Sequence, residues 1–237
     1  MFKKKKVLCV IPARSGSKGL KNKNTIKLGN QPLIAWSINS ALKSKYVDKV
    51  VVSTDSFKIS KIAKEYGADV PFLRPKKFAT DSASTFDVMK HAIKFLEKKN
   101  QFFDYILCLE PTSPLTSVID INNAINLLHK NFYKADSVVG VSRCNSQHPE
   151  YLFLKSKNNL LRRYKSKTKA YKRRQNLSDV YFIEGSLYLT KIKSLLSNSS
   201  FISKKTMPLI MPKYKSFEID DKIDLLIYKS LVKKYGK

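Results

Sequence analysis

The chain has 237 residues, 43% of them hydrophobic, which suits one α/β domain with a sizeable core. Lys and Arg number 46 against 18 Asp and Glu, a formal charge of +28. No apolar run reaches the roughly 18–20 residues of a membrane span, and the lysines at 3–6 are followed by too few apolar residues for a signal peptide, so a cytoplasmic chain without a membrane partner is expected. Cys9, Cys108 and Cys144 lie far apart with no CxxC spacing, which points to reduced thiols and no metal site among them. The charge raises the question of a nucleic-acid partner. The lysines are scattered and no recognition pattern accompanies them, so none is expected; the field instead gathers anionic substrates.

Strands and helices alternate along the chain. A first strand is predicted near 6–11 and a helix over 33–43, with Pro32 near its first turn. A buried strand follows at 47–53. Ile59, Ile62, Ala63 and Tyr66 then repeat at helical spacing, with Gly67 as the stop. Further predictions are a helix over 85–98, a strand over 105–109, a helix around Ile121, Ala124, Ile125 and Leu128, and a strand over 137–141. This pattern predicts an α/β fold with a Rossmann-like, doubly wound, mostly parallel sheet. The rhythm breaks at 155–174, where half the positions are Lys or Arg and none is acidic. Such a segment is a poor core element. Regular structure resumes at 185–189, a short strand is expected near 217–219, and a helix closes the chain over 222–233. The organisation expected is one domain, 1–237, with an inserted basic arm at 143–184.

The loop after the first strand reads Ile11-Pro12-Ala13-Arg14-Ser15-Gly16-Ser17-Lys18-Gly19-Leu20-Lys21-Asn22-Lys23-Asn24. In an open α/β sheet, ligands bind at the carboxyl ends of the strands. Small residues let backbone N–H groups close on phosphate oxygens, and Arg14, Lys18, Lys21 and Lys23 add positive charge. The loop lacks the GK[ST] of a Walker A motif. It fits the pattern Ala-Arg-x-x-Ser-Lys-Gly-x-x-x-Lys-Asn, and further motifs follow in order: Val51-Val52-Ser53-Thr54-Asp55, Leu73-Arg74-Pro75, Ala79-Thr80-Asp81-Ser82-Ala83-Ser84, Glu110-Pro111-Thr112-Ser113-Pro114-Leu115, Arg174-Gln175 and Phe217-Glu218-Ile219-Asp220. In this set the chain resembles the acylneuraminate cytidylyltransferases, also called CMP-sialic acid synthetases, over almost its whole length.

The resemblance implies a homodimer that uses CTP and Mg²⁺, with Mn²⁺ as a substitute, and a nonulosonic acid such as N-acetylneuraminic or legionaminic acid as acceptor. It implies that Arg14 and Lys23 act on the triphosphate, and that Ala13, Asn24, Arg74 and Ser82 lie near the nucleotide with Lys18 as a phosphate contact. Ser82 also reads as a helix N-cap. The family's Asp-Ile-Asp, whose two carboxylates hold Mg²⁺, is Glu218-Ile219-Asp220 here. On an extended segment residues i and i+2 share a face, so both acids can reach one ion. Asp220 is also the candidate proton acceptor, whereas Asp221 and Asp224 read as acids at a helix N-terminus. Glu110, Arg174, Gln175 and Tyr181 fall on the acceptor side, with Tyr181 and Phe182 serving either the acceptor or the dimer arm.

Four positions depart from the family pattern. Glu110 stands for Gln, Thr116 for Arg, Glu184 for Asn and Glu218 for Asp, and three of the four are expected to line or adjoin the acceptor side. The alternatives are a cytidylyltransferase for another 3-deoxy sugar acid, or a catalytically impaired polyanion-binding homologue.

Overall fold

The computed structural model of the chain describes residues 5–16, 19–144, 148–164, 175 and 177–236. In chain order the first half contains β1 (Val7–Pro12), β2 (Lys27–Leu28), β3 (Gln31–Pro32), α1 (Leu33–Leu42), β4 (Lys49–Ser53), α2 (Phe57–Glu65), α3 (Thr85–Glu97) and β5 (Tyr105–Leu109). The second half contains α4 (Val118–Lys130), β6 (Ser137–Arg143), β7 (Phe153–Lys155), β8 (Leu161–Arg163), β9 (Tyr181–Lys191), α5 (Ile192–Asn198), β10 (Thr206–Ile210) and α6 (Lys222–Tyr235).

Six strands form the central sheet in the order β10-β6-β9-β5-β1-β4. β1 pairs in parallel with β4 and β5, and β10 with β6; β9 runs antiparallel to both of its neighbours. The strand sequences are apolar at nearly every position because both faces are covered. Cys9 and Ile11 face α1, α2 and α4, while Leu8 and Val10 face α3 and α5. A third cluster joins Leu20, Leu28, Leu33, Leu115 and Ile219 to Tyr228 and Val232 of α6. Among the described residues no helix is long and apolar enough to cross a membrane.

The expected alternation is present as far as β6, with strand 105–109 matching β5 end for end. Gly67 closes the turn after α2 with φ +88°. The expectation of a strand at 217–219 is corrected: this stretch has no regular structure and joins no sheet, and Ile219 N–H donates to the carbonyl of Thr112 at 3.0 Å. The edge strand at 206–210 is β10, which carries Pro208; an edge position tolerates a residue that cannot donate to a ladder. Ser82 does not cap α3. Ser84 does, accepting from Asp87 N–H at 3.1 Å. Asp221 and Asp224 form a capping box at the start of α6, and Asp224 Oδ2 also accepts from Asp220 N–H at 2.9 Å. The basic stretch begins as a two-stranded ribbon, β7 with β8, apart from the main sheet; its part at 165–174 lies outside the described residues.

Two buried side chains lie near the segment before α6, one apolar and one a carboxyl. Ile219 is fully buried in the third cluster. Glu184 of β9 is 2% exposed within the sheet, where Ser186 Oγ donates to its Oε1 and Oε2 has no partner among the described residues. Burial lifts the Glu184 carboxyl to about 7; the Glu218 and Asp120 charges add to the rise and the Ser186 bonds oppose it.

Ile219→Ala removes a packed side chain and is expected to cost about 2–5 kcal/mol in urea unfolding. Glu184 binds its proton more tightly folded than unfolded. Its contribution to stability is therefore full at low pH and is lost as pH rises from about 4.5 to about 7. Glu184→Gln is expected to remove this dependence, so its stability relative to wild type should gain on the order of 3 kcal/mol between pH 4 and pH 8. A constant difference across that range would contradict the assignment.

Candidate active site

The carboxyl ends of β1 and β5 open into a cleft of about 450 Å³ whose walls include Arg14, Lys23, Asn24, Arg74, Glu110 and Asp220. These six residues come from four separate parts of the chain. The loop after β1 supplies the first three. It is held down at its start by Asp55, which accepts from Ser15 N–H at 2.9 Å and from Ser15 Oγ at 2.7 Å. Asn24, nearly buried, donates from Nδ2 to the carbonyl of Arg14 at 2.9 Å and so folds the loop back on itself. Gly19 lets the 218–220 segment approach, because a Cβ there would lie 2.4 Å from the Asp220 carbonyl oxygen.

The cations of the cleft are held differently. Arg14 Nη1 lies 2.6 Å from Asp81 Oδ1, and Lys23 Nζ lies 3.0 Å from Asp220 Oδ1. Arg74 is only 5% exposed. Its Nε donates to Ser53 Oγ at 3.1 Å, its Nη1 to the Phe78 carbonyl at 3.3 Å, and its Nη2 to the Ser53 carbonyl. Burial lowers the Arg74 guanidinium to about 10, against the raising effect of Asp55 and Glu110, so it stays charged at neutral pH. The Asp55 carboxyl lies below its ordinary value: burial pushes it up, but the two Ser15 hydrogen bonds and the Arg74 charge outweigh that.

Glu110 sits at the cleft floor, half-buried, with Cys108 Sγ donating to its Oε1 at 3.7 Å. Burial and the Glu218 charge push its carboxyl up to about 7, with Cys108, Arg74 and Lys23 acting in the opposite sense. Glu218 accepts from Thr112 Oγ1 at 3.4 Å and is likewise raised, first by burial and then by Asp220. The two acids of the 218–220 segment thus repel one another across the buried Ile219. Among the described residues no three metal-ligating side chains converge. A pair of carboxylates with water and phosphate completing the shell is a donor set that suits a hard divalent cation.

Several sequence-predicted residues fall elsewhere. Ala13 is fully buried and its N–H is already given to the Ser53 carbonyl at 2.9 Å, so neither its side chain nor its N–H is available to a phosphate. Ser82 is not on the cleft wall; its Oγ lies 3.2 Å from Thr80 Oγ1, and Thr80, Asp81 and Ala83 line the cleft around it. Gln175 and Tyr181 lie outside the wall, both exposed, and so does Glu218. Lys18 and Arg174 fall outside the described residues. Of the four departing positions only Glu110 lines the cleft. Thr116 is 3% exposed with Oγ1 donating to the Ser113 carbonyl at 3.0 Å, and Glu184 is enclosed in the sheet. The roles of Asp55 and Asp81 were missed, although each stands in a quoted motif as an acid close to a basic loop.

The family model described as cytidylyltransferase matches residues 8–211. The chain is 38% identical to the CMP-N,N'-diacetyllegionaminic acid synthase of Legionella pneumophila, over 96% of each chain. It is 33% identical to the pseudaminic acid cytidylyltransferase of Campylobacter jejuni, over 96% of this chain and 97% of that one. It is 35% identical to the N-acylneuraminate cytidylyltransferase of Escherichia coli, over 92% of this chain and 50% of that longer protein. Among solved structures, a CMP:2-keto-3-deoxy-manno-octonic acid synthetase complexed with CTP superposes with a TM-score of 0.69 at 16% identity, covering 97% of this chain and 99% of that one; it shares the fold. A loop that gathers cations at the end of β1, a carboxylate brought to it from the far end of the chain, and these matches have one reading: the chain belongs to the cytidylyltransferase family.

Proposed function

We propose that the protein transfers the CMP group of CTP to the anomeric hydroxyl of a nonulosonic acid and releases pyrophosphate. The observation that carries this is the meeting of Lys23 and Asp220 on the wall of a cleft that also holds Arg14 and Arg74. CTP is a polyanion and the acceptor is a carboxylate, so the α-phosphorus must be shielded from like charge before attack. Arg14 and Lys23 bind the triphosphate, and Arg74 stands fixed near the nucleotide. Asp220 and Glu218 would hold Mg²⁺, whose chemistry there is to neutralise phosphate charge and polarise an oxygen. The acceptor hydroxyl forms the new bond to the α-phosphorus as the bond to pyrophosphate breaks, and Asp220 is the cleft carboxylate able to receive the hydroxyl proton. Glu110, at the cleft floor, faces the acceptor and favours hydrogen-bond donors over acid groups there. The names of the three relatives support nonulosonic acids as the acceptor class. The remaining expected contacts, Lys18, Ser82, Arg174, Gln175 and Tyr181, belong to the same proposal.

The same reading makes the protein a homodimer whose arm lies within 143–184. Support comes from the β7–β8 ribbon, where Leu160 and Leu161 are each 69% exposed and Phe153 and Tyr164 are also open to solvent. Exposed apolar side chains clustered on an otherwise basic ribbon call for a covering surface. The buried, unpaired thiols of Cys9 and Cys108 agree with a reducing compartment such as the cytoplasm.

A pyrophosphate-release assay with CTP, Mg²⁺ and a panel of nonulosonic acids is expected to give turnover with at least one of them. Asp220→Asn should lower kcat about a hundredfold or more at saturating Mg²⁺; turnover near wild type removes Asp220 from its role. Leu161→Asp should shift the sedimenting species from dimer towards monomer, and an unchanged sedimentation coefficient counts against the arm.

A further inference from the structure

Gly185 of β9 has φ +77°, and a Cβ built on it would lie 1.9 Å from Glu218 Oε1 and 2.6 Å from Glu218 Cδ. The Glu218 carboxylate therefore occupies the space where any other residue at 185 would begin its side chain. Thr112 Oγ1 meets the other oxygen, Oε2, at 3.4 Å. The backbone beneath is pinned independently: Ile219 is fully buried, and its N–H is bonded to the Thr112 carbonyl at 3.0 Å. The carboxylate is thus held between β9 and the turn after β5, on a segment that cannot slide.

We infer that Gly185 is a positioning residue for the Glu218 carboxylate. Its bare Cα is the recess that receives the carboxylate, and this recess is what lets glutamate, one methylene longer than aspartate, stand beside Asp220 without forcing the segment off its Ile219 anchor. The contact is between a backbone and the far end of a flexible side chain. A methyl group at 185 therefore displaces the carboxylate, while the positive φ strains the backbone whatever the carboxylate does. An aspartate at 218 ends one methylene sooner and leaves the recess empty, so residues 185 and 218 are coupled: the change at one sets the cost of the change at the other.

This inference rests on the proposed metal-binding role of Glu218, and two measurements separate them. The first is urea unfolding without metal of the full-length wild type, Gly185→Ala, Glu218→Asp and the double variant. Gly185→Ala should lose stability, both from the positive φ and from the displaced carboxylate, and the double variant should be more stable than the sum of the single changes requires. Additivity of the two changes overturns the inference. The second is Mn²⁺ binding in the presence of CTP, followed by the electron paramagnetic resonance of free Mn²⁺. Gly185→Ala should bind at least tenfold more weakly than wild type, with most of the affinity restored in the double variant. Wild-type affinity in Gly185→Ala, or no recovery in the double variant, also overturns it. A wild type that takes up no Mn²⁺ while the unfolding coupling persists overturns the metal role of Glu218 alone.

Discussion

Ile219 is the anchor on which the cleft depends. It is fully buried among Leu20, Leu28, Leu33, Leu115, Tyr228 and Val232, a cluster that binds the loop after β1, the turn after β5 and α6 into one body. Its neighbours on either side are the two acids. The ion pair between Lys23 and Asp220 spans 197 positions of sequence, but Asp220 is 72% exposed, and a pair so open to water adds little to stability. Apolar packing brings the far end of the chain to the first loop, and the charges are carried there by it.

The antiparallel strand in the middle of the sheet has a parallel role. β9 enters between β5 and β6 with a register shift at Val139/Val141. The irregularity sits level with Glu184 and Gly185, beside the segment before α6. A perfectly regular parallel sheet would present alternate side chains at fixed heights. The bulged strand instead places a bare Cα against the Glu218 carboxylate, with the buried Glu184 carboxyl one position before it.

Much of this was legible from residues alone. The apolar runs of β1 and β5, the helical spacing in α2 and α4, and the stop at Gly67 are strong periodic signals, and the basic loop marked one wall of the cleft. The failures have physical causes. α5 has only seven residues, too few to display a helical period, and β10 carries a proline that reads as a breaker until its edge position is known. The stretch 217–219 has a strand-like sequence because Ile219 must be buried, yet its hydrogen bond runs to a turn rather than a ladder. Glu184 and Thr116 looked like ligand contacts because they depart from the family pattern, but a departure identifies a changed environment without saying which side of the sheet it lies on. That the Ala13 N–H is bonded to the neighbouring strand depends on strand pairing, which the loop's own sequence does not reveal.

Arg14 and Lys23 each face a carboxylate in the cleft, Asp81 and Asp220, whereas Arg74 is fixed by carbonyls and a hydroxyl. The open cleft is therefore not a bare positive hole but a set of occupied counter-ions around one rigid cation. An anion that enters against Arg14 or Lys23 competes with a carboxylate already in place. The chain's large positive charge is therefore muted where a carboxylate meets each of these two cations, and an anion there gains less than the composition alone suggests.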